Sequence, residues 1–178
     1  MLNRLKHQLP TKILLMIYNS LILSRLHYGN ILWGQNPRSL IKLNKKAVRA
    51  LAGVGSNAHT SPIQKRFKLL SLPDIHQLKL YCFYKRIVDK RLPLRVLSMF
   101  NENPMINPEP PRTVSYRNTL KYALPYFLTL APSEILDEAN NVTYQTFKTH
   151  VKKYIIDRYS SLCTVVGCGS CNILQRIK

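Results

Sequence analysis

Acidic side chains are what this chain of 178 residues has least of: 8 Asp and Glu stand against 27 Lys and Arg, for a formal net charge of +19. None occurs before Asp74. Polymerase and nuclease chemistry on paired Mg²⁺ ions needs carboxylates held close together. Here Asp74, Asp89, Asp137 and Asp157 are scattered and no Asp-Asp pair exists, so no catalytic residue is expected. Gly-x-Ser-x-Gly, phosphate-loop and His-Glu-x-x-His signatures are missing too. His59 precedes Thr60 and Ser61, but no acid stands nearby to orient it, so its expected role is in a turn. Long apolar runs are also missing. The stretch from Ile13 to Leu23 is broken by Asn19 and Ser20, too short to span a bilayer and poorly placed for a signal peptide. A basic, acid-free start is shared with mitochondrial presequences, but here it runs on to Asp74, beyond presequence length. Cysteine is scarce: Cys82, Cys163, Cys168 and Cys171 make no secreted disulfide framework, and a reduced intracellular setting, nuclear or cytoplasmic, is expected.

What is present is positive charge on a chain able to build a core, since 46% of its residues are hydrophobic. Residues 1–99 carry 18 Lys and Arg against two acids, and residues 100–178 carry nine against six. So one-sided a field repels itself unless an anion neutralises it. Nucleic acid is the first partner this suggests and an anionic membrane surface the second.

Periodicity points to a mainly α protein, a small bundle of about five to six helices. Its centre is the stretch from Lys42 to Pro62. Leu40, Leu43, Ala47, Ala50, Leu51 and Val54 recur at helical spacing and predict one buried stripe. Lys42, Lys45, Lys46 and Arg49 share the opposite face. Gly53 and Gly55 should end this helix, and Thr60 or Ser61 can cap the next, from Ser61 to about Leu69. Upstream, one helix is expected from Pro10 to Tyr28, ended by Gly29, with Trp33 as a core anchor. Ser71 and Asp74 predict the start of a long helix running to about Arg91. Residues 1–100 thus read as one basic helical domain. Residues 101–141 read as a proline-rich linker and irregular segment, because Pro125 and Pro132 interrupt it. Residues 142–160 read as an amphipathic helix capped by Thr143, with Tyr144, Phe147, Val151, Tyr154 and Ile155 on one face. Residues 161–178 form a cysteine-containing tail.

The order of several short motifs resembles one family. Leu9-Pro10, Tyr28-Gly29, Trp33-Gly34, Lys45-Lys46-Ala47-Val48-Arg49, His59-Thr60-Ser61-Pro62 and Leu72-Pro73-Asp74-Ile75 follow one another as in the region after the polymerase palm of jockey-like non-LTR (LINE-type) retrotransposon reverse transcriptases. Leu92-Pro93, Arg117-Asn118-Thr119 and Phe147-Lys148 with Tyr159 continue the series, so the resemblance covers about residues 1–160. The chain departs from the pattern at Leu124 to Thr129, where the family carries a tryptophan, and at Arg112-Thr113, where the order is reversed. The resemblance implies a thumb-like region that grips template–primer nucleic acid, RNA or RNA–DNA hybrid, through phosphates in a parent RNA-directed DNA polymerase. It also implies that the chain by itself, lacking the paired aspartates, is a non-catalytic fragment of a mobile element.

The residues expected at phosphates are Lys42, Lys45, Lys46 and Arg49 first, then Lys65, Arg66 and Lys68, then Lys85, Arg86, Lys90 and Arg91. A basic helix face can also be simply solvated. A host-recruited helical adaptor that binds a protein partner, or a binder of anionic membrane, remains an alternative; steep salt dependence separates phosphate binding from an apolar interface. Cys163, Cys168 and Cys171, with His150 as a fourth ligand, are a candidate zinc set. Three free thiols are the alternative, and no other cofactor is implied.

Overall fold

The computed structural model describes residues 2–34, 37–100, 113–117 and 119–159. The described residues are mainly helical, with no strand among them. They divide into two compact units.

The first unit holds the described residues within 1–28, 37–74 and 154–178. It contains α1 (Leu2–Leu5), α2 (Thr11–Ile17), a π-helical stretch (Tyr18–Leu23), α3 (Ser24–His27), α5 (Arg38–Leu51) and α6 (Thr60–Phe67). The single helix expected from Pro10 to Tyr28 is thus a helical run with a π segment in its middle. Ser24 N–H bonds the Asn19 carbonyl, and the Ser20 and Ser24 hydroxyls donate to the carbonyls of Ile17 and Ser20. Side-chain bonds of this kind loosen regular helix hydrogen bonding.

Helix α5 packs against α1, α2 and α6. Leu14, Tyr18, Val48, Leu51, Ala58 and Ile63 form the heart of the unit's core. The buried stripe of α5 is not quite the expected one. Leu43 is 58% exposed, and Asn44 lies buried one residue on. The cause is a polar contact from a distant residue. The fully buried Tyr18 hydroxyl donates to Asn44 Oδ1 at 2.7 Å, which satisfies both groups and turns α5 toward them. Burial pushes the Tyr18 phenol up to about 12.

Gly53 ends α5 as expected, at φ +66°. Val54 N–H bonds the Arg49 carbonyl and Gly53 N–H the Ala50 carbonyl, both at 3.2 Å. This is a Schellman closure, which needs a left-handed residue at the glycine position. Gly55 has no positive φ; its place is the turn beyond.

The second unit holds the described residues within 29–36 and 75–153. It contains α4 (Asn30–Trp33), α8 (Leu94–Leu97), α9 (Val114–Arg117), α10 (Leu120–Thr129) and α11 (Ser133–Asn141). It also holds all but the first turn of α7 (Leu72–Val88) and most of α12 (Tyr144–Asp157). Ile75, Leu78, Leu124, Leu128, Ala139, Phe147 and Val151 are buried here. Tyr81 meets Phe127 edge-on, with ring centroids 4.7 Å apart.

The described part of 101–141 is therefore not an irregular segment. It carries α9, α10 and α11. Pro125 lies inside α10, and Pro132 stands just before α11 with φ −59°, a good entry to a helix. An internal proline costs about 3 kcal/mol in an isolated helix. In α10, burial of Leu124, Pro125 and Leu128 offsets it.

Trp33 is half-buried, not a fully buried anchor. Its neighbour Gly34 is under the tighter constraint. A Cβ there would lie 2.4 Å from the Asn30 carbonyl oxygen and 2.5 Å from His76 Nδ1. His76 Nδ1 donates to that carbonyl at 3.0 Å, and burial holds the imidazole below its usual pKa.

Candidate nucleic-acid interface

The first candidate surface is α5. Lys42, Lys45 and Lys46 are exposed on the face opposite Asn44, Val48 and Leu51. Among the described residues none of the three is in an ion pair. Arg49 departs from the group. It is half-buried, and its Nε–H donates to the Ala58 carbonyl at 2.7 Å. That bond fastens the turn from Gly53 to Ala58 back onto the helix. Arg49 therefore holds the loop.

The second group lies at the end of α6. Arg66 and Lys68 are exposed and Lys65 is half-buried. The Arg66 guanidinium stands 5.7 Å from the Phe67 ring centroid, within cation–π range. Lys68 has φ +53°. Leu69 N–H reaches the Gln64 carbonyl at 2.9 Å and Lys68 N–H the Lys65 carbonyl at 3.2 Å. Lys68 thus occupies the position that glycine fills after α5.

The third group, at the end of α7, is the one the structure corrects. Lys85 is not on the surface. Its side chain is 4% exposed, and Nζ lies 2.6 Å from Asp89 Oδ1. Arg91 Nε stands 3.9 Å from the other Asp89 oxygen. The Arg86 guanidinium lies 5.2 Å from the Tyr144 ring centroid. Lys90 is exposed, but it too is a left-handed closing residue, at φ +53°, with Arg91 N–H on the Arg86 carbonyl and Lys90 N–H on the Ile87 carbonyl, both 2.9 Å. The helix stops at Val88, short of the expected Arg91.

Asp74 and Asp89 are both engaged in structure. Asp74 accepts hydrogen bonds from the Ser71 and Tyr159 hydroxyls, and Tyr159 Oη in turn accepts the Ser71 N–H at 2.8 Å. The Ser71–Asp74 cap is as expected. Tyr159, which ties the chain's last described residue to the start of α7, was not legible beforehand. Burial and the Asp74 carboxylate raise the Tyr159 phenol well above its usual pKa.

Of the candidate zinc ligands, Cys163, Cys168 and Cys171 lie outside the described residues. His150 is exposed, and its Nδ1 is paired with the Glu138 carboxylate. No group of three His, Cys, Asp or Glu that could hold a metal ion occurs among the described residues. No helix among them is long and apolar enough to cross a membrane. Compared with protein-family models, with curated proteins and with solved structures, the chain finds no match.

Proposed function

We propose that the chain binds nucleic acid through phosphates, independently of sequence, as a non-catalytic piece of the template–primer grip of a non-LTR retrotransposon RNA-directed DNA polymerase. The observation that carries this reading is the α5 face. Three lysines stand together in solvent, with no ion pair among the described residues, on a helix whose other side is fixed into a core. Three cations this close repel one another, and a polyanion relieves that repulsion. The ordered motifs from Leu9-Pro10 to Tyr159 support the family, and the scattered aspartates of the sequence, none of them adjacent, support a non-catalytic piece.

The test is binding of RNA–DNA hybrid over a range of salt, with Lys42, Lys45 and Lys46 all changed to Gln. Each lost phosphate contact removes about 0.9 from the slope of log K against log salt, so the slope should flatten by roughly 2 to 3 units. Hybrids of unrelated sequence should be affected alike, because phosphates carry no base information. Thermal stability should stay close to the parent. A triple variant with the parent's slope would overturn the reading. Binding of anionic vesicles without binding of hybrid would move the same lysines to a membrane role.

A further inference from the structure

The second unit carries a surface that phosphate binding leaves unexplained. Tyr122 and Tyr126 are four residues apart on α10 and so share a face. Their rings are nearly parallel, 12° between planes, with centroids 6.0 Å apart. Tyr116, on α9, stands beside them, its centroid 5.9 Å from that of Tyr122 and its ring tilted by 57° to it. The core does not need these rings. Leu124 and Leu128 fill the buried side of α10, and Phe127 meets Tyr81. Tyr126 is 52% exposed, and Tyr116 and Tyr122 are half-buried. Arg117 and Lys121, each next to one of these tyrosines, are exposed, and no acid occurs between Thr113 and Ser133.

We infer that Tyr116, Tyr122 and Tyr126 form a stacking platform for the bases of single-stranded nucleic acid, with Arg117 and Lys121 at the strand's phosphates. Aromatic rings in series, partly open to solvent and beside cations in a stretch of sequence without an acid, suit a partner that alternates flat π-faces with negative charge. A single strand offers both, whereas a duplex keeps its bases stacked away from such a surface. Charge complementarity is what selects this occupant over an apolar protein segment. The inference shares its class of partner with the α5 reading but none of its residues.

The experiment uses the full chain, a ten-nucleotide oligo-dA and an abasic strand of equal length, with affinities read by anisotropy at low salt. The parent should prefer oligo-dA. Tyr126→Ala, at the most exposed ring, should weaken oligo-dA binding about tenfold and leave the abasic strand unaffected, since base–aromatic stacking accounts for roughly that factor per base. Tyr126→Phe should bind like the parent. Equal affinity of the parent for both strands, or an Ala variant with the parent's affinity for oligo-dA, would overturn the platform. The Lys42, Lys45, Lys46 triple variant keeps the two readings apart. It should retain the preference for bases over abasic strand even as its salt slope on hybrid falls.

Discussion

Two basic stretches, Lys42 to Arg49 on α5 and Lys85 to Arg91 at the end of α7, look interchangeable as sequence. Each sets four cations within two turns of an amphipathic helix. The structure treats them in opposite ways. On α5 three lysines are exposed and unpaired among the described residues. At the end of α7 one lysine is buried on Asp89, one arginine is near the same carboxylate, and another covers the Tyr144 ring. One acidic residue makes the difference. Asp89 lies four positions after Lys85, on the same helix face, and gives that cation a reason to be buried. No acid precedes Asp74 in the sequence, so α5 has no local partner to take its lysines out of solvent. A cluster of cations is thus left unpaired where carboxylates are scarce and taken into structure where one lies at the right spacing.

The largest effect expected from this contrast is on stability. Lys85→Met removes the cation from a nearly buried pair and leaves Asp89 to Arg91 at 3.9 Å. Stripping one partner from a fully buried pair costs about 3 to 5 kcal/mol. Asp89 keeps some solvent contact, so a loss of about 2 kcal/mol is expected by urea denaturation. The salt slope for hybrid binding should not change. A lower slope with parent-like stability would make Lys85 a binding cation and erase the contrast.

A second variant tries to turn α5 into the end of α7. Leu43 is exposed and lies three residues before Lys46. Leu43→Glu supplies the acid that α5 lacks and, being exposed, should change stability by no more than about 0.5 kcal/mol. It offsets one cation, so affinity for hybrid should drop about tenfold at low salt and the slope should flatten by about 1. Unchanged binding would mean that these lysines are a solvated face.

What the sequence made legible was local. Gly29 and Gly53 took their left-handed places, and the Ser71–Asp74 cap formed where residue type and spacing put it. What it hid depends on partners far along the chain. Asn44 is buried because Tyr18 reaches it, and Asp74 is held by Tyr159 from the far end of the described residues. Pro125 reads as a helix breaker until the burial of its neighbours outweighs the proline. Among the candidate binding residues, exposure of Lys42, Lys45 and Lys46 followed from helical period alone. The pairing of Lys85 with Asp89 follows from their four-residue spacing, but its burial depends on what packs around α7.

Lys68 and Lys90 close α6 and α7 in a conformation that suits glycine, and Lys90 sharpens the comparison furthest. A left-handed residue with a Cβ carries a strain of about 1 to 2 kcal/mol. Glycine relieves it but gives back part of the gain through its greater freedom in the unfolded chain. Lys90→Gly should therefore stabilise the protein by about 0.5 to 1 kcal/mol, whereas Lys90→Gln, which keeps the Cβ and loses the charge, should leave stability nearly unchanged. The two variants separate backbone strain from charge at one position. If the cations at the end of α7 serve structure, neither variant moves the salt slope, and the glycine is simply the better closing residue. If Lys90 meets a phosphate, both lower the slope by about 1, and a strained lysine at the end of a helix has a function that glycine could not supply.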